Sequence, residues 1–231
     1  MANRFILTPV QPTQSICGRA NMTVASTIPI PPGLPEVNIS RVIAEGGVHD
    51  REWDTYSGAK CFTNAFVLDE KNARILLGFK KRGFGASMYN GFGGKVEPDE
   101  SPLEAAKREL KEEAGIEAPL VRCGTLFFTS PSLNHAYHID VFRANIWVGT
   151  PSESEEMRPE WFSINPDTGT NVLPGIPYDR MWADDKFWLP LLLAGTQFIG
   201  RGDFGELDDT KGEGAIGASM VKWWFASVDE L

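Results

Sequence analysis

GKVEPDESPLEAAKRELKEEAGI, residues Gly94–Ile116, is the stretch that decides the fold. It reads as a loop feeding a helix whose two ends are both written in the sequence. Ser101 is a natural N-cap, Pro102 suits the first helical position, and Glu104 stands where a capping box needs it. Gly115 can take the left-handed conformation that closes a helix. Leu103, Ala106, Leu110 and Ala114 fall on one stripe at helical spacing, which can pack on a core. Glu109, Glu112 and Glu113 stand at i, i+3 and i+4, so like charges share a neighbouring face. Two readings of that face are open. It is a solvated helix surface, or it is a site for a hard cation such as Mg²⁺ or Mn²⁺, which takes oxygen ligands and stays bridged to substrate phosphates.

The chain around it has 231 residues, 42% of them hydrophobic, enough for one good-sized domain with a tail. A net charge of −9 argues against polymeric nucleic acid or an anionic membrane as partner. It also means that a phosphate substrate is repelled unless cations intervene. Cys17, Cys61 and Cys123 are scattered and odd in number, which reads as free thiols in a reducing compartment, hence the cytoplasm. No apolar run approaches the length of a membrane span.

Residues 1–56 read as an irregular extension, proline-rich and without an acidic residue before Glu36. Arg4 and Arg19 in that start carry a faint transit-peptide pattern, but the prolines break an amphipathic helix. From residue 57 the pattern turns globular and stays so to residue 205. Cys61–Leu68 and Arg74–Lys80 form a hairpin across the turn Asp69–Asn72. Lys80–Gly85 is a basic, glycine-broken loop, and the glycines of Met88–Gly94 let backbone approach a ligand. Val121–Thr129 and Tyr137–Val148 read as strands, with a short one at Trp161–Phe162 after an acidic loop ending Glu156-Met157-Arg158-Pro159. Asn165–Pro177 reads as a loop. Asp184 or Asp185 is placed to cap a last helix, Lys186–Ala194. Residues 206–231 read as a glycine-rich acidic loop and a closing strand.

Gly94, Glu100, Arg108-Glu109-Leu110, Glu112-Glu113, Gly115 and Ile116 match the Nudix box, Gly-x5-Glu-x7-Arg-Glu-U-x-Glu-Glu-x-Gly-U with U aliphatic. The chain therefore resembles the Nudix hydrolases. That resemblance implies an α/β fold, an α/β/α sandwich with a mixed β-sheet and the loop–helix at its active site, and it decides for the cation reading. LLGFKKRGFGASMYNGFGGKVE, GTPSESEEMRPEWF and MWADDKFWLPLLL look like one branch of the family, the eukaryotic MutT homologues that hydrolyse oxidised purine nucleoside triphosphates such as 8-oxo-dGTP and so cleanse the nucleotide pool.

Carried over, the resemblance implies that Glu109, Glu112, Glu113, Glu156 and the Gly93 carbonyl bind Mg²⁺, with Mn²⁺ a substitute. Lys80 contacts phosphate, Thr63 and Asn90 bond the nucleoside, and Phe92, Gly93, Gly94 and Lys95 contact substrate on the way into the box. Phe84, Phe128 and Trp182 wall the base, and Asp184 and Asp185 read it. Glu112 and Glu156 are the candidates for general base, with Glu109 beside them in the catalytic set. The implied protein is a monomer acting on a small nucleotide. Hydrolysis of another nucleoside diphosphate derivative, such as ADP-ribose or an ordinary dNTP, and a non-catalytic nucleotide-binding module are the alternatives. Every glutamate of the box is present, which weighs against the last.

Overall fold

The computed structural model describes residues 28–165, 173–206 and 219–231. Its strands are β1 (Ile39–Gly47), β2 (Ala59–Asp69), β3 (Arg74–Lys80), β4 (Tyr89–Asn90), β5 (Val121–Thr129), β6 (Ala136–Ala144), β7 (Met157–Ser163), β8 (Phe198–Phe204) and β9 (Met220–Val228), and its helices are α1 (Pro102–Ala114) and α2 (Asp185–Leu193). The described residues build one nine-stranded sheet in the order β1-β9-β8-β5-β6-β2-β3-β4, with β7 also on β3. It is mixed: β2 runs parallel to β6 and β5 to β8, and the other pairs are antiparallel.

Strand alternation separates two cores. Phe66 and Leu68 of β2 face one side, where they join Trp188, Leu189 and Leu192 of α2. Ala65 and Val67 face the other, with Ala106, Leu110 and Ala114 of α1. One helix on each face makes the α/β/α sandwich.

α1 has the ends its sequence encodes. Ser101 Oγ accepts from the Glu104 N–H, Glu104 returns a bond to the Ser101 N–H, and Gly115 caps at φ 70°. The buried stripe loses one expected member and gains two. Leu103, in the first turn, is exposed, whereas Ala105 and the carboxylate-bearing Glu113 are buried. Nor do the three glutamates share one exposed face, since the side chain of Glu109 is 16% exposed and that of Glu112 60%. In α2, Asp184 stands at the cap position, but neither aspartate makes a side-chain cap bond there. β7 begins at Met157, inside what reads as an acidic loop. Pro159 is tolerated because β7 pairs only with β3, so the missing N–H disrupts no second ladder.

The irregular reading of residues 1–56 fails over Ile39–Gly47. β1 pairs with β9 in the same sheet, so β9 lies inside the sheet rather than closing its edge. Ile30, Leu34, Val37 and Trp53 pack on Ile199, Trp224 and Ala226, covering the face of β8 and β9 that α2 leaves open. Arg201 and Asp203 tie this segment down. Both are fully buried and paired at 2.9 Å. The guanidinium also donates to the carbonyls of Pro32 (2.6 Å) and Asp54 (2.7 Å). The Asp203 carboxylate accepts from the Asp54 N–H (2.6 Å) and from Thr129 Oγ1 (2.9 Å). Cys61 is an exposed and Cys123 a buried free thiol. Cys17, the transit-like start, most of the Asn165–Pro177 loop and residues 207–218 lie outside the described residues.

Candidate active site

One cleft of ≈ 350 Å³ opens at the level of β2, β4 and β5, bounded by the Lys80–Met88 loop and the start of α2. Thr63, Lys80, Phe84, Asn90, Gly93, Gly94, Phe128, Glu156, Trp182, Asp184 and Asp185 all line it, although they come from segments spread over more than half of the chain. Phe84 stacks on Trp182 at 5.1 Å and 25° and lies nearly parallel to Tyr137 at 6.3 Å and 5°. The cleft therefore has flat walls of the kind that hold an aromatic base. Thr63 Oγ1 is buried with no hydrogen-bond partner among the described residues.

Two of the expected substrate residues are elsewhere. The side chain of Phe92 is fully buried in the core beneath α1, because its backbone pairs with Ala65 and turns the ring to that face. Lys95 is exposed outside the cleft, with its ammonium 3.8 Å from Glu97. Asn64, Tyr137 and Met88 are among the cleft residues that escape sequence reading. Asn64 has a signal, the lone amide of its strand, set just before the apolar run Ala65–Leu68. Tyr137 and Met88 read as ordinary strand and loop residues.

The base end of the cleft holds Asp184 and Asp185, 3% and 1% exposed. Asp184 accepts from Trp188 Nε1 at 2.8 Å and Asp185 from the Trp182 N–H at 3.1 Å. Burial lifts both carboxyls above their ordinary range, and the Asp184 charge lifts Asp185 further. Two neighbouring carboxyls so dry resist double ionisation.

Behind the Gly93–Gly94 wall stands an acidic group. Glu156 lines the cleft, whereas Glu109, Glu112 and Glu113 of α1 do not; Glu109 and Glu113 reach it only through contacts at Gly94 and Gly93. Glu113 Oε2 accepts from the Gly93 N–H at 2.8 Å; burial pushes its carboxyl to about 7 against that bond, and the Glu109 and Glu156 charges add to the rise. Burial likewise raises Glu109, opposed by Arg108 and reinforced by Glu112 and Glu156. Arg108 spans Glu100 (2.6 Å), Glu109 (2.8 Å) and Glu112 (3.3 Å), while Lys80 holds Glu156 at 2.9 Å. With these side chains in place, no three acidic, His or Cys groups among the described residues converge at coordinating distance. The donor set nevertheless fits a hard divalent cation: hard oxygens of one sign, with Glu113 buried and Glu109 half-buried. The carbonyls on either side of Gly93 are bonded to Ala65 and Thr63, whereas its own accepts no hydrogen bond among the described residues. A Cβ on Gly94 would collide with Glu109 Oε1, so only glycine lets the loop lie on that carboxylate. Gly94→Ala is expected to leave the fold intact, because a side-chain end can shift. It should cost roughly 10–100-fold in turnover, the usual effect of misorienting a metal-binding carboxylate. Thermal unfolding and kcat measured together check this.

A nucleotide-sized aromatic cleft set against a glutamate-rich loop–helix, in an α/β/α sandwich, defines a class of phosphoanhydride hydrolases. The comparisons agree. The pattern that defines the NUDIX domain matches residues 63–166. The oxidized purine nucleoside triphosphate hydrolase of Danio rerio is 44% identical over 135 residues, 58% of this chain and 81% of that protein. Its namesake from Mus musculus is 40% identical over 153 residues, 66% of this chain and 91% of that one. In structure the chain is similar to a MutT protein from Bacillus halodurans, with a TM-score of 0.53 at 24% identity over 72% of this chain and 97% of that one. The chain belongs to the Nudix hydrolase family. No helix among its described residues is long and apolar enough to cross a membrane.

Proposed function

We propose that the protein hydrolyses oxidised purine nucleoside triphosphates, 8-oxo-dGTP and 2-oxo-dATP among them, to the monophosphate and pyrophosphate, and so removes damaged precursors before they enter DNA. The observation that carries this reading is the buried Asp184–Asp185 pair beside the stacked Trp182 and Phe84, in the same cleft as Lys80, Gly93 and Glu156. The names of the two vertebrate relatives support it.

Glu109, Glu112, Glu113, Glu156 and the Gly93 carbonyl are the groups that would hold Mg²⁺. Bound there, it supplies charge neutralisation on the triphosphate and a lowered pKa for water. The chain's own groups do the rest. Lys80 places a positive charge at the phosphate end, and swings from Glu156 to do so. That frees Glu156, which joins Glu112 as a carboxylate able to take the proton from the attacking water. The walls of the cleft hold the base, and a shared proton lets one aspartate donate while the other accepts. Exchanging those roles lets one pocket read oxidised guanine and oxidised adenine.

The test replaces each aspartate. Asp184→Asn and Asp185→Asn should each lower kcat/KM on 8-oxo-dGTP and 2-oxo-dATP unequally, because an amide fixes the donor that the pair otherwise exchanges. Wild-type values on both substrates from both variants would refute the reading of the pair. Stability gives a second check. Folding raises both carboxyls, so the pair's contribution is complete below the ordinary carboxylate range and is lost as pH rises through the raised values. Asp185→Asn removes one buried charge. Its Tm should exceed that of wild type at alkaline pH and approach it below about pH 4.

A further inference from the structure

Asn64 sits in β2 beside the cleft, 8% exposed, in a strand whose next five residues are fully or nearly fully buried. Its Nδ2 donates to Asn90 Oδ1 at 2.8 Å. The same oxygen accepts from the Gly91 N–H, also at 2.8 Å. The second bond removes the usual ambiguity of amide orientation. A backbone N–H only donates, so the Asn90 atom facing it is the carbonyl oxygen, and Asn64 in turn presents its NH₂. Two donors thus hold the Asn90 oxygen away from the ligand. Its Nδ2 makes no hydrogen bond to any described residue, and Asn90 is a half-buried residue of the cleft wall. The group offered to a ligand is a donor.

We infer that Asn64 is a positioning residue that locks Asn90 as a hydrogen-bond donor to the base, biasing the pocket toward 6-oxo over 6-amino purines. This rests on the oxidised-purine reading above. The order of groups on a purine edge gives the consequence. Where the aspartate pair accepts from N1–H and the 2-amino group of a guanine-type base, the neighbouring atom is O6, an acceptor that needs a donor. In an adenine-type base that position carries an amino group, which meets the Asn90 NH₂ donor to donor. An unmade pairing of that kind costs a site far more than a missing van der Waals contact.

The experiment measures kcat/KM for 8-oxo-dGTP and 2-oxo-dATP with wild type, Asn64→Asp and Asn64→Leu, and takes the ratio within each protein, so that a general loss of activity cancels. A carboxylate at position 64 only accepts. It draws the Asn90 NH₂ to itself and turns the oxygen toward the base. The ratio should shift toward 2-oxo-dATP by roughly tenfold, about one hydrogen bond's worth. Asn64→Leu removes one of the two donors while Gly91 remains, so the ratio should shift the same way by less. It also carries the test alone if Asn64→Asp does not fold. An unchanged ratio in the folded variants overturns the lock, and so does a shift toward 8-oxo-dGTP. A wild-type protein that hydrolyses neither substrate fails the oxidised-purine reading itself, a different result from an unchanged ratio.

Discussion

Glu109→Gln is expected to lower turnover by about 10²–10⁴-fold, the range supplied by a positioned acid–base or charge-stabilising group. Its electrostatic neighbours single Glu109 out. It is largely buried, it feels both Glu112 and Glu156, and Glu113 feels it in turn. It also lies against the loop at Gly94. Glutamine keeps the size and an acceptor for Arg108 but removes the charge, so the fold should survive while turnover does not. Loss of a cation-holding group also predicts a higher Mg²⁺ requirement, which a metal titration of kcat reads directly. A loss below tenfold would take Glu109 out of the machinery. Glu112→Gln is the informative companion. Glu112 is exposed, and the pair it makes with Arg108 at 3.3 Å is a solvent-screened one whose loss costs little stability. A comparable loss there that excess Mg²⁺ does not restore marks it as the base, and a small one moves that role to Glu156.

Asp203→Ala should cost about 3–5 kcal/mol of folding stability, the largest structural effect expected in this chain, because it strands a buried guanidinium. Arg201 would keep its bonds to the carbonyls of Pro32 and Asp54, but its charge would have no counter-ion. The Asp54 N–H and the Thr129 hydroxyl would each lose their acceptor. Replacing both members of a buried pair by apolar residues is often nearly neutral. Here Arg201→Leu with Asp203→Leu should remain destabilising, since the backbone groups of residues 32 and 54 lose partners either way. Urea unfolding of the single and double variants measures both. A double variant as stable as wild type would mean that the pair does not anchor the amino-terminal segment. Thr129 also lines the cleft, so the anchor of residues 28–56 reaches the wall of the active site.

The sequence shows much of this and hides the rest for physical reasons. α1 is legible because its capping box, its N1 proline and its C-cap glycine are all local. The hairpin of β2 and β3 is legible because the turn between them is short and polar. β1 is not, since what makes ISRVIAEGG a strand is an edge offered by β9, some 180 residues later. The burial of Trp53 and Leu34 likewise depends on Arg201 and Trp224, which no local window contains. In the site, Asp184 and Asp185 read equally well as a helix cap, and only the fold shows them bonded to Trp188 and the Trp182 backbone instead. Phe92 misleads for the opposite reason. It stands among cleft glycines, but its pairing with Ala65 sends the ring to the other face. Asn64 is visible as the lone amide of its strand, though its partner, 26 residues away, is not.

The most direct test of the whole account is a Mg²⁺-dependent hydrolysis panel of oxidised, methylated and unmodified purine nucleoside triphosphates, with ADP-ribose alongside and the products identified. The account expects 8-oxo-dGTP and 2-oxo-dATP to be turned over with the highest kcat/KM, releasing the monophosphate and pyrophosphate. A preference for ADP-ribose or for unmodified dNTPs would contradict it.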